Sequence, residues 1–325
     1  MLLDKIVLQN FRSYGKAGFE FEKVTTVVGE NGAGKSNLIE AIYLLATGKS
    51  FRAEVDYEMV RYEQSNARVK GLVEGEDLEV LLTDGSMQGA RKRYFVNGVA
   101  KRQIDFVGRL RAVLFGPADM ELVTGSPSGR RRYLDMVISQ MDREYRRSLI
   151  SYEKGLRQRN KLLDLIRDGM ASRSQLFFWD KLLIKNGQYL TDKRGDFLIK
   201  TGFEYDKSEI SEARIKQYEM EEVAAGSTLV GPHRDDFVLM FKGRDVSKYG
   251  SRGEQRMSVW WLKQCEIKYL GGDPVLLLDD IFSELDHKHR EEVVEYVKKY
   301  LGQVILTSAD EHLVPIMKET KTIQL

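Results

Sequence analysis

Gly29, Gly34, Lys35 and Ser36 stand in the spacing G-x-x-x-x-G-K-S, with Glu30, Asn31, Gly32 and Ala33 between the glycines and Asn37 directly after. These residue types in this order suit one chemistry, the cradling of a polyphosphate. Glycines let the backbone turn inward, so successive N–H groups point at the β- and γ-phosphates, and a helix starting there adds its partial positive end. Lys35 brings a point charge to the same oxygens, and Ser36 brings a hard hydroxyl ligand for a bridging Mg2+. A second pair, Asp279 and Asp280, closes the apolar run 274–278. Asp279 is expected to hold Mg2+, directly or through water, opposite Ser36, and Asp280 to polarise the water that attacks the γ-phosphate.

These groups need elements to hold them. A β-branched run at 24–28 feeds the glycine loop, and Leu38, Ile39, Ile42 and Leu45 recur behind it at helical spacing, so the motif lies between strand and helix as it must. The run 274–280 is apolar on both faces, as a central parallel strand is, and ligands of open α/β sheets bind at the C-terminal ends of such strands. Residues 303–307 form another buried strand and 321–325 an edge strand. Strands at 2–8, around Phe19 and Phe21, at 67–73, 78–82 and 93–96, separated by Gly75, Asp84-Gly85 and Asn97-Gly98, make an antiparallel lobe. Residues 111–115 add a short strand ended by Gly116-Pro117. Arg12, in the turn Asn10-Phe11-Arg12-Ser13-Tyr14-Gly15, either reaches the nucleotide or builds the turn.

Between these parts lies helical sequence. Ser126 is a plausible N-cap with Pro127 at the first helical position, and Tyr133, Val137, Met141, Tyr145, Leu149, Tyr152 and Leu156 form one sustained face. A break at 169–172 precedes a second helix with Leu176, Phe177, Leu183, Leu190 and Phe197. The span 118–225 reads as an inserted helical arm. After it, Ser251-Arg252-Gly253-Glu254-Gln255-Arg256 opens a helix through Trp260, Leu262 and Ile267, and alone Ser251 reads as a helix cap.

The 325 residues are 42% hydrophobic, enough for about two domains with a buried core. No run approaches the roughly 18 apolar residues of a membrane span, and a lone Cys265 makes no internal disulfide or cysteine cluster, which suits a cytoplasmic protein. Net charge is +2, but residues 91–159 carry 16 Lys and Arg against 7 Asp and Glu, and the remainder 35 against 42. Such asymmetry points to an anionic partner, with Arg91, Arg93, Arg130, Arg131, Arg132, Arg146 and Arg147 as candidates for contact with it.

The order of P-loop, helical insertion, S-x-G-x-Q, apolar strand ending in Asp-Asp, and Ser283-Glu284-Leu285-Asp286 resembles ABC-type ATPases of the DNA-repair, SMC-like branch. More closely, the chain is similar to the RecF family. The similarity rests on Phe11-Arg12-Ser13-Tyr14, residues 29–42, Gly125-Ser126-Pro127 with Arg130-Arg131-Arg132, Thr228-Leu229-Val230-Gly231-Pro232-His233-Arg234-Asp235-Asp236, and residues 251–256 and 276–286. It implies an α/β fold, an ABC-type ATPase head (a mixed sheet with a P-loop core plus an antiparallel β lobe) with an inserted α-helical lid domain. The head would occupy 1–117 and 226–325 and the lid 118–225. It also implies a recombination mediator of DNA repair, the SOS response and replication restart, binding ATP and Mg2+ and dimerising with ATP on DNA. Such a protein recognises gapped or junction DNA, helps load recombinase with RecR and RecO partners, and hydrolyses ATP slowly under DNA stimulation. Ser251, Gly253 and Gln255 would then face the γ-phosphate held by the other subunit.

Three features depart from the wider pattern. Glu254 stands where the family usually carries Gln and would repel a γ-phosphate unless turned away. No Gln occurs in 113–119, and no His directly follows 305–308, which leaves Thr307 or Ser308 to hydrogen-bond a phosphate oxygen. Two other classes fit the P-loop alone: a metabolic P-loop enzyme such as a small-molecule kinase, which has no use for S-x-G-x-Q, and an ABC-type defence ATPase, whose nuclease form needs a further acidic metal-binding domain.

Overall fold

Val275–Asp279, Val304–Ser308 and Ala112–Phe115 are buried along their whole length, as the strands of a parallel sheet covered on both faces are. In the computed structural model they join two more strands in one parallel sheet, ordered Lys321–Gln324, Val24–Val28, Val304–Ser308, Val275–Asp279, Ala112–Phe115. Register sets Thr307 between Val27 and Asp279, and Leu278 beside Phe115. The strand ends at Val28, Asp279 and Phe115 therefore finish together, where the chain must turn out of the sheet. The structure describes residues 1–83, 92–283, 285–309 and 320–325; Arg91, Asp84-Gly85 and Glu284 lie outside them.

The chain forms two compact units, Met1–Met120 with Val259–Leu325, and Glu121–Ser258. In the first, the helix Lys35–Thr47 buries Leu38, Ile39, Ile42 and Leu45 completely, each worth about 1.5–3 kcal/mol. A second, antiparallel sheet runs Tyr14–Glu20, Leu3–Phe11, Asn66–Val73, Glu76–Thr83, Lys92–Val96, Val99–Lys101. Its strands alternate: Asn66–Val73 buries Ala67, Val69 and Val73 and exposes Asn66, Arg68 and Leu72. Gly71 lets the Lys35–Thr47 helix come close, since a Cβ there would stand 2.7 Å from Leu45 Cδ1. The two-residue hairpins at Glu74-Gly75 and Asn97-Gly98 have positive φ at both positions, the twist that matches paired strands.

The second unit is helical, with Pro127–Met141, Arg143–Arg167 and Phe177–Leu198 as its long members. The single apolar face expected from Tyr133 to Leu156 is split. Asp142 takes an extended backbone between the first two helices, and its carboxylate accepts the Tyr145 amide at 2.9 Å, capping the second. Arg143–Arg167 and Phe177–Leu198 meet at Gly155, where a Cβ would stand 2.6 Å from Leu182 Cδ2.

This unit is larger than the arm expected at 118–225, because residues 226–258 fold into it. Asp236–Val238 pairs with Glu204–Asp206, and the fully buried Asp235 carboxylate is held by Arg194 at 3.0 Å, the Tyr205 hydroxyl at 2.5 Å and the Ser208 amide at 2.7 Å. A carboxylate so deep needs these partners, and they come from the helix Phe177–Leu198, the strand Glu204–Asp206 and the stretch that follows that strand. Among the described residues no helix is long and apolar enough to cross a membrane.

Candidate nucleotide-binding site

The glycine loop leaves the sheet at Val28 and enters the helix at Lys35, and its shape explains its residues. Gly32 and Gly34 have φ of 88° and 110°, which residues with a Cβ rarely adopt. Gly34 has a second reason to be glycine: a Cβ there would come within 2.9 Å of the Tyr14 hydroxyl, which donates to the Gly34 carbonyl at 3.1 Å. Glu30, Asn31 and Gly32 are exposed, whereas Gly29, Gly34 and Lys35 are buried. The Lys35 ammonium donates to the carbonyls of Gly29 at 2.6 Å and Glu30 at 2.9 Å, so it lies over the loop itself. No acidic residue stands in the first helical turn to oppose an anion.

Ser36 and Asp279 meet across the strand ends, with the Ser36 hydroxyl donating to Asp279 Oδ1 at 3.1 Å. Thr307 donates to the same oxygen at 2.7 Å, and its hydroxyl oxygen accepts the Asp280 amide at 3.0 Å. Thr307 therefore orients both acids. This differs from the expectation that it replaces a histidine at a phosphate, because its one proton is already given to Asp279; Ser308 is buried. Asp280 has φ of 49°, a strained conformation for a residue with a Cβ, and the Ser283 hydroxyl donates to its carbonyl at 2.8 Å. Burial raises its carboxyl above the ordinary aspartate range; Lys35 and Ser283 oppose the shift, and neighbouring Asp279 adds to it.

The donor set fits the expected metal. Ser36 Oγ and Asp279 Oδ1 are hard oxygens on adjoining elements, and Mg2+ commonly takes one or two protein ligands with the rest from phosphate and water. No group of three or more His, Cys, Asp or Glu among the described residues offers a fuller cage.

Arg12 builds the turn. Its guanidinium forks onto Glu40 of the P-loop helix at 2.8 and 2.7 Å and donates to the Glu58 carbonyl at 2.7 Å. Glu40, fully buried, also accepts from Ser50 at 2.5 Å and from Arg52 at 2.8 Å. Burial alone raises the Glu40 carboxyl, but Arg12, Arg52 and Ser50 outweigh it and hold it below the usual range. Asn37 is tied into the same corner, donating to Ser13 at 2.7 Å and accepting from Arg52. Glu40 carries no sequence signal, since a glutamate in a helix ordinarily reads as surface.

The S-x-G-x-Q segment lies at the end of the second unit and is engaged locally. Ser251 and Glu254 form a reciprocal cap: the Ser251 amide donates to Glu254 Oε2 at 2.8 Å and the Glu254 amide to Ser251 Oγ at 3.3 Å. The carboxylate expected to repel a phosphate is thus turned back on its own helix, and those bonds to Ser251 lower its pKa. Gly253 sits in the first turn of Arg252–Leu270, and the Gln255 side chain donates to the Val246 carbonyl at 3.0 Å, so it fastens the preceding turn.

The candidate DNA-contacting arginines divide. Arg130 is forked onto Asp236 at 2.6 and 2.9 Å, and Arg131 donates to the Asp235 carbonyl at 2.8 Å. Arg146 donates to the Ser139 carbonyl. These three hold the helical unit together. Arg93, Arg132 and Arg147 are exposed, and Arg147 lies 3.8 Å from Glu144. Arg91 lies outside the described residues.

Residues 2–325 match the family model of the RecF/RecN/SMC N-terminal domain. The DNA replication and repair protein RecF of Herpetosiphon aurantiacus is 35% identical, over 95% of this chain and 94% of that protein. RecF of Thermomicrobium roseum is 34% identical, over 100% of this chain and 98% of that protein. Among solved structures, the recombination mediator protein RecF-ATPrS in the RecFOR pathway superposes with a TM-score of 0.87 at 29% identity, covering 100% of this chain and 96% of that one. The RecF-ATP structure gives 0.86 at 31% identity, covering 96% and 93%. An SMC head bound to the C-winged helix domain of ScpA, at 16% identity and a TM-score of 0.50 over 96% of this chain and 90% of that one, is similar in fold.

Proposed function

The chain belongs to the RecF family, with its ABC-type ATPase head, and from that premise we propose that it is an ATP-driven switch on DNA: a recombination mediator that dimerises with ATP at gapped or junction DNA, hydrolyses ATP slowly and helps load recombinase. The observation that carries this reading is the meeting of Ser36, Asp279 and Thr307 directly beside a glycine loop whose lysine is aimed inward.

In this reading the loop amides from Gly29 to Ser36 bind the β- and γ-phosphates, and Lys35 exchanges its two loop carbonyls for phosphate oxygens. Ser36 and Asp279 would hold Mg2+, which would supply positive charge against the phosphates. Asp280 takes a proton from the attacking water, a task suited to a carboxyl whose pKa burial has raised. Thr307 keeps the two acids apart in role by giving its proton to Asp279 and its lone pair to the Asp280 amide. Ser251 of a second copy faces the γ-phosphate in a twofold dimer, each copy lending its helix start to the other's loop. RecR and RecO are the partners that family membership suggests, and the cytoplasm is the compartment.

For DNA, the contact set narrows to the exposed arginines, Arg93, Arg132 and Arg147, with Arg91 as a further candidate outside the described residues. Binding through such groups is sequence-tolerant and falls steeply with salt. Sizing the protein with ATP, ADP or no nucleotide, each with and without gapped duplex, tests the whole reading. A dimer that forms only with ATP supports it. A dimer indifferent to nucleotide, or ATP turnover into a small molecule instead of water, sinks it.

A further inference from the structure

Asp119 uses both carboxylate oxygens inside the first unit. Oδ1 lies 2.8 Å from the Lys263 ammonium, and Oδ2 accepts the Gly116 amide at 2.9 Å. The Asp119 amide in turn donates to the Gly116 carbonyl at 3.1 Å, so the two residues close one tight turn. Gly116 directly follows the strand Ala112–Phe115, which neighbours Val275–Asp279, and a Cβ at Gly116 would stand 3.2 Å from Asp279 Cβ and 3.5 Å from its carbonyl oxygen. The turn is thus wedged against the acid that meets Ser36.

Lys263 is 3% exposed and has a second acid, Glu266, at 3.6 Å and 1% exposed. Burial works against its charge, but Asp119 and Glu266 prevail and hold the ammonium above its usual pKa. A buried ion pair of this kind is a poor source of stability compared with apolar packing, yet it fixes geometry sharply. Its position in the chain is informative too. The chain leaves this unit after Met120 and returns at Val259, so Asp119 stands at the exit and Lys263 just inside the return.

We propose that Asp119 and Lys263 are positioning residues of the nucleotide site: they clamp the Gly116 turn against Asp279, keeping its carboxylate in register with Ser36, and they do so at the two points where the helical unit joins the head. The pair touches neither phosphate nor metal and acts through Asp279. The proposal rests on the assignment of Ser36 and Asp279 to Mg2+ in the preceding subsection.

Its test uses the full chain, with Lys263→Met, Lys263→Arg, Asp119→Asn and Lys35→Ala, each first shown to be folded by thermal melting. Affinity for a fluorescent ATP analogue is read with and without Mg2+, alongside kcat for hydrolysis. For Lys263→Met the metal-free affinity stays near wild type, while the gain on adding Mg2+ and kcat both fall about tenfold or more, as for other groups that support a metal ligand. Lys263→Arg restores most of both. Asp119→Asn, which keeps an oxygen for the Gly116 amide but turns an NH2 donor toward the Lys263 ammonium, gives a loss of the same kind and serves if Lys263→Met does not fold. Wild-type Mg2+ dependence and kcat in folded Lys263→Met or Asp119→Asn, with ATP binding lost in Lys35→Ala, overturns the positioning role alone. Undiminished ATP binding by Lys35→Ala overturns the nucleotide-site reading, and this proposal with it.

Discussion

The hydroxyl of Thr307 donates to the carboxylate of Asp279 at 2.7 Å, and through the same oxygen it accepts the amide of Asp280 at 3.0 Å. Removing that hydroxyl while keeping the branched shape isolates its effect. Thr307→Val is expected to lower kcat about tenfold with ATP affinity in the absence of Mg2+ nearly unchanged, because the acids lose their common tether and the loop does not. Thr307→Ser should recover most of the loss. If steady-state kinetics of Thr307→Val match wild type, the tether has no role in turnover.

Asp280→Asn should still bind ATP and Mg2+ through Lys35, Ser36 and Asp279, but hydrolyse it slowly, so an ATP-locked dimer accumulates. The pH dependence gives the sign. A base works only when ionised, and burial raises the Asp280 carboxyl, so kcat is lost as pH falls through a value above the ordinary aspartate range. That acid limb should vanish in Asp280→Asn. An acid limb at the ordinary aspartate position, or one that survives the substitution, removes Asp280 from the role.

Arg130 and Arg147 are expected to behave oppositely. Arg130→Ala breaks a forked, mostly buried contact with Asp236 and costs about 2 kcal/mol of stability, while the salt slope of DNA binding stays as it was. Arg147→Ala leaves stability nearly unchanged and reduces the slope of log affinity against log salt by about 1. Chemical denaturation and a salt titration on one gapped duplex separate them. A reduced slope in Arg130→Ala would return that residue to the DNA-contacting set.

The contrast between these two arginines marks the reach of sequence reasoning. The glycine loop, the all-apolar strand before Asp279 and the Asn97-Gly98 turn are legible in the sequence because each residue type answers a local backbone demand within a few positions. Arg12 with Glu40 and Arg130 with Asp236 are not, since these pairs lie 28 and 106 residues apart and every member alone looks like solvated surface. The split of the arm helix at Asp142 escapes for a related reason: its apolar spacing continues across the break, and only the carboxylate bonded to the Tyr145 amide shows that a new helix begins.

His233, in the block from Thr228 to Asp236, gives a test in the helical unit. Its Nε2 faces the Thr228 carbonyl at 3.0 Å and must carry the proton, so Nδ1 accepts from the Tyr152 hydroxyl at 2.8 Å. Burial lowers its pKa from 6.5 to about 4. The folded-state value is depressed, so the unfolded chain binds the proton first. Stability present above pH 6.5 is therefore lost as pH falls toward 4, by about 3 kcal/mol at most. Denaturation of His233→Gln across that window should show a shallower pH slope, and an identical slope would assign the acid lability to other groups.

Lys35 and Ser251 together test where one ATP site ends and the next copy begins. If Lys35 and Ser251 serve the same site from different chains, then Lys35→Ala and Ser251→Arg are each inactive as homodimers, because every site contains one defect. Mixing them changes the arithmetic. In a twofold dimer the Lys35→Ala chain lends an intact helix start to the intact loop of its Ser251→Arg partner, so each mixed dimer has one good site. Random pairing makes half the dimers mixed, and roughly a quarter of wild-type activity should return if sites act independently. Ser251→Arg also removes the hydroxyl half of the cap that Ser251 shares with Glu254, a loss of about 1 kcal/mol in helix stability, so Glu254→Ala, which removes the carboxylate half and leaves the serine in place, is the control for a weakened cap. Glu254→Ala should dimerise with ATP and turn over near the wild-type rate. Recovery near zero with cross-linked mixed dimers present means that both sites fire together or that Ser251 does not act across the interface. Ser251→Ala separates the two: normal ATP-dependent dimerisation and normal hydrolysis in that homodimer leave the serine no cross-subunit role.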